Sequence, residues 1–173
     1  MKRCIIWVAA LTLPLSAENL FRNGNMDTVG GWKGASKITT DESDEKGAKK
    51  PASIPGGGKP AEANRFLQVT AKLREPVVFS QEVNTKGLTD VMIKFRYRTK
   101  DYVGRGLEIR GIRASRDFTF ISRTFVKDGE WHEMTWDFTK IMGSRNIDFI
   151  FSVLEGTGVV DFDDITVEPI IRH

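Results

Sequence analysis

The feature that most constrains this chain is a succession of short apolar runs between residues 65 and 167. In 91–97 the odd positions are apolar and two of the three even positions are basic, and 147–153 repeats this alternation. A period of two places alternate side chains on opposite faces of a β-strand. Regularly spaced strands of this kind predict an all-β fold, a two-sheet antiparallel β-sandwich. The eight runs are RFLQVTA, PVVFSQEVN, DVMIKFRYRTK, GLEIRGIRA, FTFISRTFV, WHEMTWDF, IDFIFSVL and VVDFDDITV.

The segment between the chain's beginning and these runs has a different composition. Residues 34–64 are rich in Gly, Pro, Lys and acidic residues and contain almost no large apolar side chain. We therefore expect a long polar surface loop there, interrupted by a short strand at 37–40. The one stretch that suggests a helix is 138–146, where we expect a single helical turn.

The first residues read MKRCIIWVAALTLPLSA, with a basic start, an apolar centre and a small-residue exit. This pattern is typical of a secretory signal peptide at 1–17, cleaved near Ala17. The apolar run is shorter than the roughly 20 residues of a membrane span, so an uncleaved anchor is the less favoured alternative. We expect a secreted, periplasmic or cell-surface protein, with residues 18–173 forming one domain and no membrane span in the mature form.

Cleavage would also remove the only cysteine, Cys4, and two basic residues, Lys2 and Arg3. The mature domain would then have no disulfide, thiol nucleophile or thiolate metal site. Its formal charge would fall from +3 to +1, because two positive charges are lost. So small a charge argues against nucleic acid as a partner.

Four motifs in the same order resemble those of CenC-type carbohydrate-binding modules. They are NLFRNGNMD followed by Gly-Trp, FSQEVNTKGLTDVMIKFRYRTK, GEWHEMTWDF and VVDFDDITVEP. The resemblance covers nearly the whole of 18–173 and implies a galactose-binding-like jelly roll without catalytic activity. It also implies a glycan or polysaccharide ligand and, in many members, one structural calcium where the first and last strands meet. This chain departs from the family pattern at Met26, Asp27 and Arg96–Tyr97.

The last run carries three carboxylates close to its apolar positions. Counting back by two from Ile165 places Asp163 on the core face if no bulge intervenes, and leaves Asp164 pointing outward. A buried carboxylate needs a cation or several hydrogen-bond donors. The resemblance implies that Asp27 lies nearby, and calcium prefers such oxygen ligands. The predicted structural calcium site comprises Asn25, Asp27, Asp163 and Asp164.

Two other roles stay open for these carboxylates. They could be satisfied by backbone amides or basic side chains without any metal. A catalytic pair is less favoured, because glycosidases hold two carboxylates about 5–10 Å apart across the substrate.

The middle third of the chain is rich in arginine and supplies the candidate glycan site. Outward-facing arginines on neighbouring strands could grip sulfated, sialylated or uronic-acid-bearing glycans, since guanidinium groups pair with such anions. The residues themselves slightly favour the alternative, a solvated face of Arg–Glu cross-strand pairs, because Glu108 lies among the arginines. Sugar rings also stack on exposed aromatic side chains. The predicted glycan-binding residues are Trp32, Arg96, Arg98, Tyr102, Arg110 and Arg123, whereas Trp131 and Trp136 are expected to be structural.

Enzymatic signatures are sparse. The chain has two histidines, His132 and the terminal His173, and no nucleophile elbow or phosphate-binding loop. Together with this scarcity, the resemblance to CenC-type modules implies a secreted non-catalytic carbohydrate-binding domain. A structural or protein-interaction β-sandwich without sugar affinity is the alternative, and a small glycan hydrolase acting through Asp161, Asp163 or Asp164 is the third. The sequence does not set the oligomeric state.

Overall fold

A computed structural model of the chain describes residues 19–28, 30–34, 36–40, 65–113, 116–139, 141 and 146–170, without the side chains of 40 and 116–121. The expected signal peptide at 1–17, most of the expected polar loop and most of the expected helical turn at 138–146 lie outside these residues. The described residues form two antiparallel five-stranded sheets and no helix. Among them, no helical segment has the length and apolarity to cross a membrane.

The first sheet has the strand order β1-β4-β9-β6-β7. All its neighbours are antiparallel, and β4 and β9 pair in continuous register over their whole length. Its strands are β1 (Lys33–Gly34), β4 (Val77–Asn84), β6 (Leu107–Arg113), β7 (Arg116–Arg123) and β9 (Asn146–Val153).

The second sheet has the order β2-β3-β10-β5-β8 and carries the two longest strands at its centre. Its strands are β2 (Lys37–Thr40), β3 (Arg65–Thr70), β5 (Val91–Gly104), β8 (His132–Phe138) and β10 (Gly156–Pro169). The two-sheet antiparallel sandwich predicted from the alternation is confirmed, as are the eight runs and the short strand at 37–40.

Aromatic side chains from both sheets fill the space between them. Phe79 of the first sheet stacks on Phe151 with ring centroids 4.9 Å apart, and it meets Phe162 of the second sheet at 5.1 Å. All three are fully buried, as is Phe95 beside Phe162. Burying side chains of this size contributes roughly 1.5–3 kcal/mol each, so the core can stabilise the sandwich without a disulfide.

The two ends of the described chain meet at a seam formed by residues 19–27 and the second half of β10. The Ile165 amide donates to the Gly24 carbonyl at 2.8 Å, and the Val167 amide donates to Asn19 Oδ1 at 3.0 Å. Gly24 has no room for a side chain, since a Cβ there would lie 1.9 Å from the Ile165 carbonyl oxygen. Gln81 secures the same segment from the first sheet by donating to the carbonyls of Arg22 and Gly31.

Candidate functional site

The candidate site is the outer face of the second sheet, the side turned away from the core. Along β5 the buried residues Ile93, Phe95 and Tyr97 point inward, so Lys94 and Arg96 point outward together with Arg98 and Lys100. β10 and β3 contribute Asp161, Asp163, Phe66 and Gln68 to this face, and the chain entering β8 contributes Trp131.

A polar network organises the centre of the outer face. The Asp161 carboxylate is 0% exposed, and the Arg98 side chain is 12% exposed. Arg98 donates to Asp161 Oδ2 through Nε at 3.2 Å and through an η nitrogen at 3.0 Å. Lys100 lies 3.4 Å from the same oxygen, and Gln68 donates to Oδ1 at 3.1 Å. A charge so deeply buried is tolerated because three side chains compensate it.

Two aromatic rings lie against this network. Phe66 and Trp131 meet edge to face with centroids 6.0 Å apart. The Arg98 guanidinium lies 4.7 Å from the Trp131 ring and 5.2 Å from the Phe66 ring. Arg96 lies 5.2 Å from Trp131, and the Lys100 ammonium lies 5.6 Å from Phe66. Cation–π contacts of this kind contribute roughly 0.5–2 kcal/mol each, so rings and cations hold one another in place.

A β-bulge explains why aspartates occupy this face. The β10–β5 register shifts between Asp163 and Thr166, and Asp164 takes a left-handed conformation with φ of 50°. The extra residue puts Asp163 opposite Arg96 on the outer face, while Ile165 beyond the bulge faces the core. The prediction that Asp163 shares the core face with Ile165 is therefore wrong, although Asp163 is buried and Asp164 is exposed as expected.

The predicted calcium residues lie at or beside the seam, and protein groups already contact several of their oxygens. The Asn25 amide donates to the Asp27 carboxylate, and Arg65 donates to the Asp27 carbonyl at 2.6 Å. Asp164 lies 3.5 Å from Arg96, and Asp163 accepts the Asp164 amide at 2.8 Å. The described residues contain no group of three or more acidic, histidine or cysteine side chains placed to hold a metal. This donor set is small for calcium, which takes six to eight oxygens, and the calcium site stays a prediction.

The predicted arginine cluster is divided among three surfaces. Arg96 and Arg98 share the outer face, but Arg110 lies on the opposite sheet beside Glu108 at 3.4 Å. Arg123 lies over the Trp136 ring at 5.1 Å, at the edge where β7 and β8 end their sheets. The expectation of one cationic cleft is wrong because the chain passes from the second sheet to the first between β5 and β6.

The two predicted aromatic contacts are not exposed platforms. Trp32 is partly buried against the core, with Phe79 at 5.6 Å, and its indole nitrogen donates to the Asn23 carbonyl. Tyr102 is buried; its hydroxyl accepts the Gly106 amide at 3.0 Å. Burial raises the pKa of Tyr102 above its ordinary value, an effect that the Gly106 hydrogen bond opposes. The expected exposure of Tyr102 is wrong, and Trp32 packs against the core, the alternative that a Trp beside a Gly-Gly turn favours.

A second bulge accounts for the position of Tyr102. Lys100 and Val103 are three residues apart on β5, whereas their partners on β10 are only two residues apart. The extra residue of β5 forms the bulge, and Asp101 within it has φ of 51°. The alternation would otherwise turn Tyr102 outward. One edge of Tyr102 borders a cleft of about 620 Å³ at this end of the sandwich, lined by Thr99, Lys100, Asp101, Tyr102, Val103, Lys127, Asp128 and Gly129.

Sequence reasoning missed two residues of the outer face and gave Trp131 a structural role. Phe66 and Gln68 alternate with the buried Leu67 and Val69, so the period of two already places them outward. An apolar ring at an outward position was the available signal. Trp131 is half-buried on the outer face, whereas Trp136 is fully buried as expected.

The loop that leads into Trp131 is attached to β8 by hydrogen bonds between His132 and Asp128. His132 Nε2 lies 2.8 and 3.0 Å from the two Asp128 carboxylate oxygens, and the Glu130 amide also donates to Asp128. These hydrogen bonds, that of His132 first, lower the pKa of Asp128. The pair helps to fix the start of β8, where Trp131 leaves the loop.

Comparison with known proteins identifies the fold. No protein-family model and no curated protein matches the chain. A family 61 carbohydrate-binding module, solved in complex with β-1,4-galactotriose, is similar over 89% of this chain and 100% of its own, with a TM-score of 0.54 and 16% identity. A family 4 module is similar over 87% of this chain and 99% of its own, with a TM-score of 0.54 and 17% identity.

The same fold also occurs inside a longer enzyme chain. An arabinose-bound GH51 α-L-arabinofuranosidase matches 87% of this chain over 26% of its own, with a TM-score of 0.58 and 13% identity. Identities this low show the fold and not the function. The chain thus has the jelly-roll fold of carbohydrate-binding modules, as expected, and its neighbours come from several families of such modules without singling out the CenC type.

Proposed function

We propose that this chain is a non-catalytic glycan-binding domain of the CenC-like kind whose ligand lies on the outer face of the second sheet. The observation that carries the proposal is the half-buried Trp131 ring, which Arg96 and Arg98 hold beside the partly exposed polar groups of Gln68 and Lys100. Phe66 is 1% exposed beneath Arg98 and Lys100, so it supports this face from below. Sugars are recognised by aromatic rings that stack on their C–H faces and by fixed polar groups that bind their hydroxyls. Both kinds of group converge here on a sheet face that the other sheet does not cover.

The fold of the neighbours supports this proposal. One neighbour was solved with a galactotriose, and several others are described as carbohydrate-binding modules. A shared fold does not carry a shared function, so the assignment depends on the outer face itself.

The state of the carboxylates favours binding over hydrolysis. Asp161 is enclosed and committed to Gln68, Arg98 and Lys100, so it is poorly placed to act on a substrate. Asp164 on the bulge is paired with Arg96. A glycosidase needs one carboxylate that can donate a proton and a second that can attack or activate water.

The proposal includes export, which depends on the signal-like segment 1–17. We expect cleavage near Ala17 and a secreted, periplasmic or cell-surface domain. N-terminal sequencing of the exported protein tests this directly, and an unprocessed N-terminus would contradict it.

A glycan array with the purified protein tests the binding function. We expect a defined set of glycans to bind, and Trp131→Ala to weaken binding by roughly five- to tenfold, the range of one aromatic contact. Leu73→Ala is the matched control, because Leu73 is exposed in the β3–β4 connection. If Trp131→Ala leaves binding intact, the ligand does not bind at the outer face.

Assays with the same purified protein distinguish the two alternative functions. Silence on the array together with one stable protein partner would favour a structural or protein-interaction domain. Turnover of reporter glycosides that is lost in a folded Asp163→Asn variant would favour a hydrolase.

A further inference from the structure

We infer that the glycan is acidic and that its carboxylate or sulfate group binds at the basic end of the outer face, formed by Lys37, Lys72 and Lys100. This inference rests on the proposed function, since it names the class of ligand for the same face. It adds Lys37 of β2 and Lys72 of the β3–β4 connection, which the aromatic site does not include.

The basic end is built by strand register. Lys37 of β2 is opposite Gln68 of β3, Gln68 is opposite Asp161 of β10, and Asp161 is opposite Arg98 of β5. Neighbouring strands lie about 4.8 Å apart, so this row crosses four strands over about 14 Å. A ligand lying along the row would contact Trp131 near one end and Lys37 at the other.

Charge is unevenly compensated along the face. Asp161 is fully enclosed, so its charge holds Arg98 from beneath, while the Lys100 side chain remains 45% exposed. Lys37 is exposed and forms no ion pair with a described residue. At the other end of the face Arg96 is 3.5 Å from Asp164 and opposite Glu133, so its charge is balanced. Among the described residues, the surplus of positive charge therefore lies at the Lys37–Lys100 end.

A cavity marks where an anionic group would enter. It has a volume of about 290 Å³ and is lined by Ser36, Lys37, Gln68, Thr70, Lys72 and Val77. This is close to the lower limit of ligand pockets, roughly 300 Å³, and suits a single charged sugar unit better than a longer segment.

The lining supplies donors of the kind that bind anions. Lys72 is paired with Glu75 at 2.6 Å, but both side chains are more than half exposed. Such exposed pairs are screened by water and contribute little, so Lys72 can exchange Glu75 for a ligand anion. Two ammonium groups, two hydroxyls and an amide then surround the cavity.

The test compares polymers that differ in charge but share a backbone. Polygalacturonate is paired with its methyl ester for the carboxylate, and chondroitin 4-sulfate with chondroitin for the sulfate. Calorimetry with the full protein should show that at least one polymer binds at least tenfold more tightly than its partner that lacks the carboxylate or sulfate. Higher salt should weaken that binding, because exposed charges are screened.

Variants locate the charged contact. Lys37→Gln and Lys72→Gln should each weaken binding of the acidic polymer by roughly two- to fivefold, the value of one exposed ion pair. Lys33→Gln on β1 is the control, since Lys33 is an exposed lysine of the other sheet. Far-UV spectra confirm that each variant is folded.

The possible outcomes separate this inference from the function on which it rests. Equal binding within both pairs, or binding only to neutral glycans, refutes the acidic ligand and leaves the glycan-binding function standing. Acid-selective binding that Lys33→Gln reduces as much as Lys37→Gln overturns the assigned site. Absence of binding to every glycan overturns both proposals.

Discussion

Replacing Arg98 with Met should lower the free energy of unfolding by about 3 kcal/mol, because it removes the main partner of a buried carboxylate. Arg98 supplies two of the four contacts to Asp161, at 3.2 and 3.0 Å. The remaining contacts come from the neutral Gln68 amide at 3.1 Å and from the half-exposed Lys100 at 3.4 Å. Stranding one charge of a buried pair costs about 3–5 kcal/mol, and Lys100 keeps the cost at the low end of that range.

Urea unfolding followed by far-UV circular dichroism measures this loss. With an m-value of about 2 kcal/mol/M, the midpoint should fall by about 1.5 M. Arg96→Met is a closely matched control, because Arg96 lies two residues away on the same face and also contacts Trp131. Its ion pair with Asp164 joins side chains that are 43% and 52% exposed. Arg96→Met should therefore lower the free energy of unfolding by less than about 1 kcal/mol.

A double substitution isolates the interaction between the two charges. Arg98→Met combined with Asp161→Leu removes both partners, so no unpaired charge is left buried. The double variant should be less destabilised than the sum of the single variants, by roughly 2 kcal/mol. Equal losses for Arg98→Met and Arg96→Met, or strict additivity in the double variant, would refute the idea that a buried ion pair organises the outer face.

Three further predictions concern other parts of the molecule. If calcium binds at the seam, it should raise the melting temperature by on the order of 5 °C, and Asp27→Ala or Asp163→Ala should abolish this increase. Identical melting curves in calcium and in chelator would contradict a calcium site. Tyr102→Phe should lower the free energy of unfolding by about 1–2 kcal/mol in urea, because a buried backbone amide loses its acceptor; an unchanged midpoint would contradict this. The lowered pKa of Asp128 means that its pair with His132 adds stability above the ordinary carboxyl pKa and loses it as pH falls through the folded pKa. Asp128→Asn should therefore lose less stability than the wild-type protein between about pH 5 and pH 2, and equal losses would show that the pair does not contribute.

The sequence predicted the strands well because their signal is local. In each of the eight runs, apolar side chains recur at every second position over at least part of its length, and that spacing already determines which side chains can share a core. Phe95, Phe151 and Phe162 lie where this rule places them. The order of the strands within each sheet is different, since it depends on pairings between residues far apart in the chain.

The predicted grouping of the arginines on one surface was only partly correct for this reason. The period of two turns the side chains of Arg98 and Arg110 away from the core on consecutive strands, and strands that are consecutive in the chain usually pair. Here β5 and β6 belong to different sheets, and only Arg105 and Gly106 connect them. Gly106 has φ of 107° and lies so close to the Arg123 carbonyl that a Cβ would be 2.0 Å from its oxygen. This tight corner sends the later arginines to the opposite side of the sandwich.

Bulges were the second source of error, and both are marked by an aspartate. Asp101 and Asp164 have φ near 50°, a left-handed conformation that aspartate tolerates better than most residues. Each bulge inverts the parity of the residues beyond it, which buries Tyr102 in one case and turns Asp163 outward in the other. An Asp within an alternating run is only a weak signal of a bulge, because an ordinary outward-facing Asp gives the same pattern.

The bulge at Asp164 also connects the two features that the sequence analysis treated separately. Without it, Asp161 and Asp163 would share the face of Ile165 and would need a cation inside the sandwich. The one-residue shift instead moves both carboxylates to the face of Arg96 and Arg98, where Arg98 compensates Asp161 and Asp163 lies opposite Arg96. The same shift allows a buried acid to hold cationic side chains against Trp131. One irregular residue in the last strand thus moves two carboxylates from the core side to the outer face, where Asp161 supports the proposed binding face.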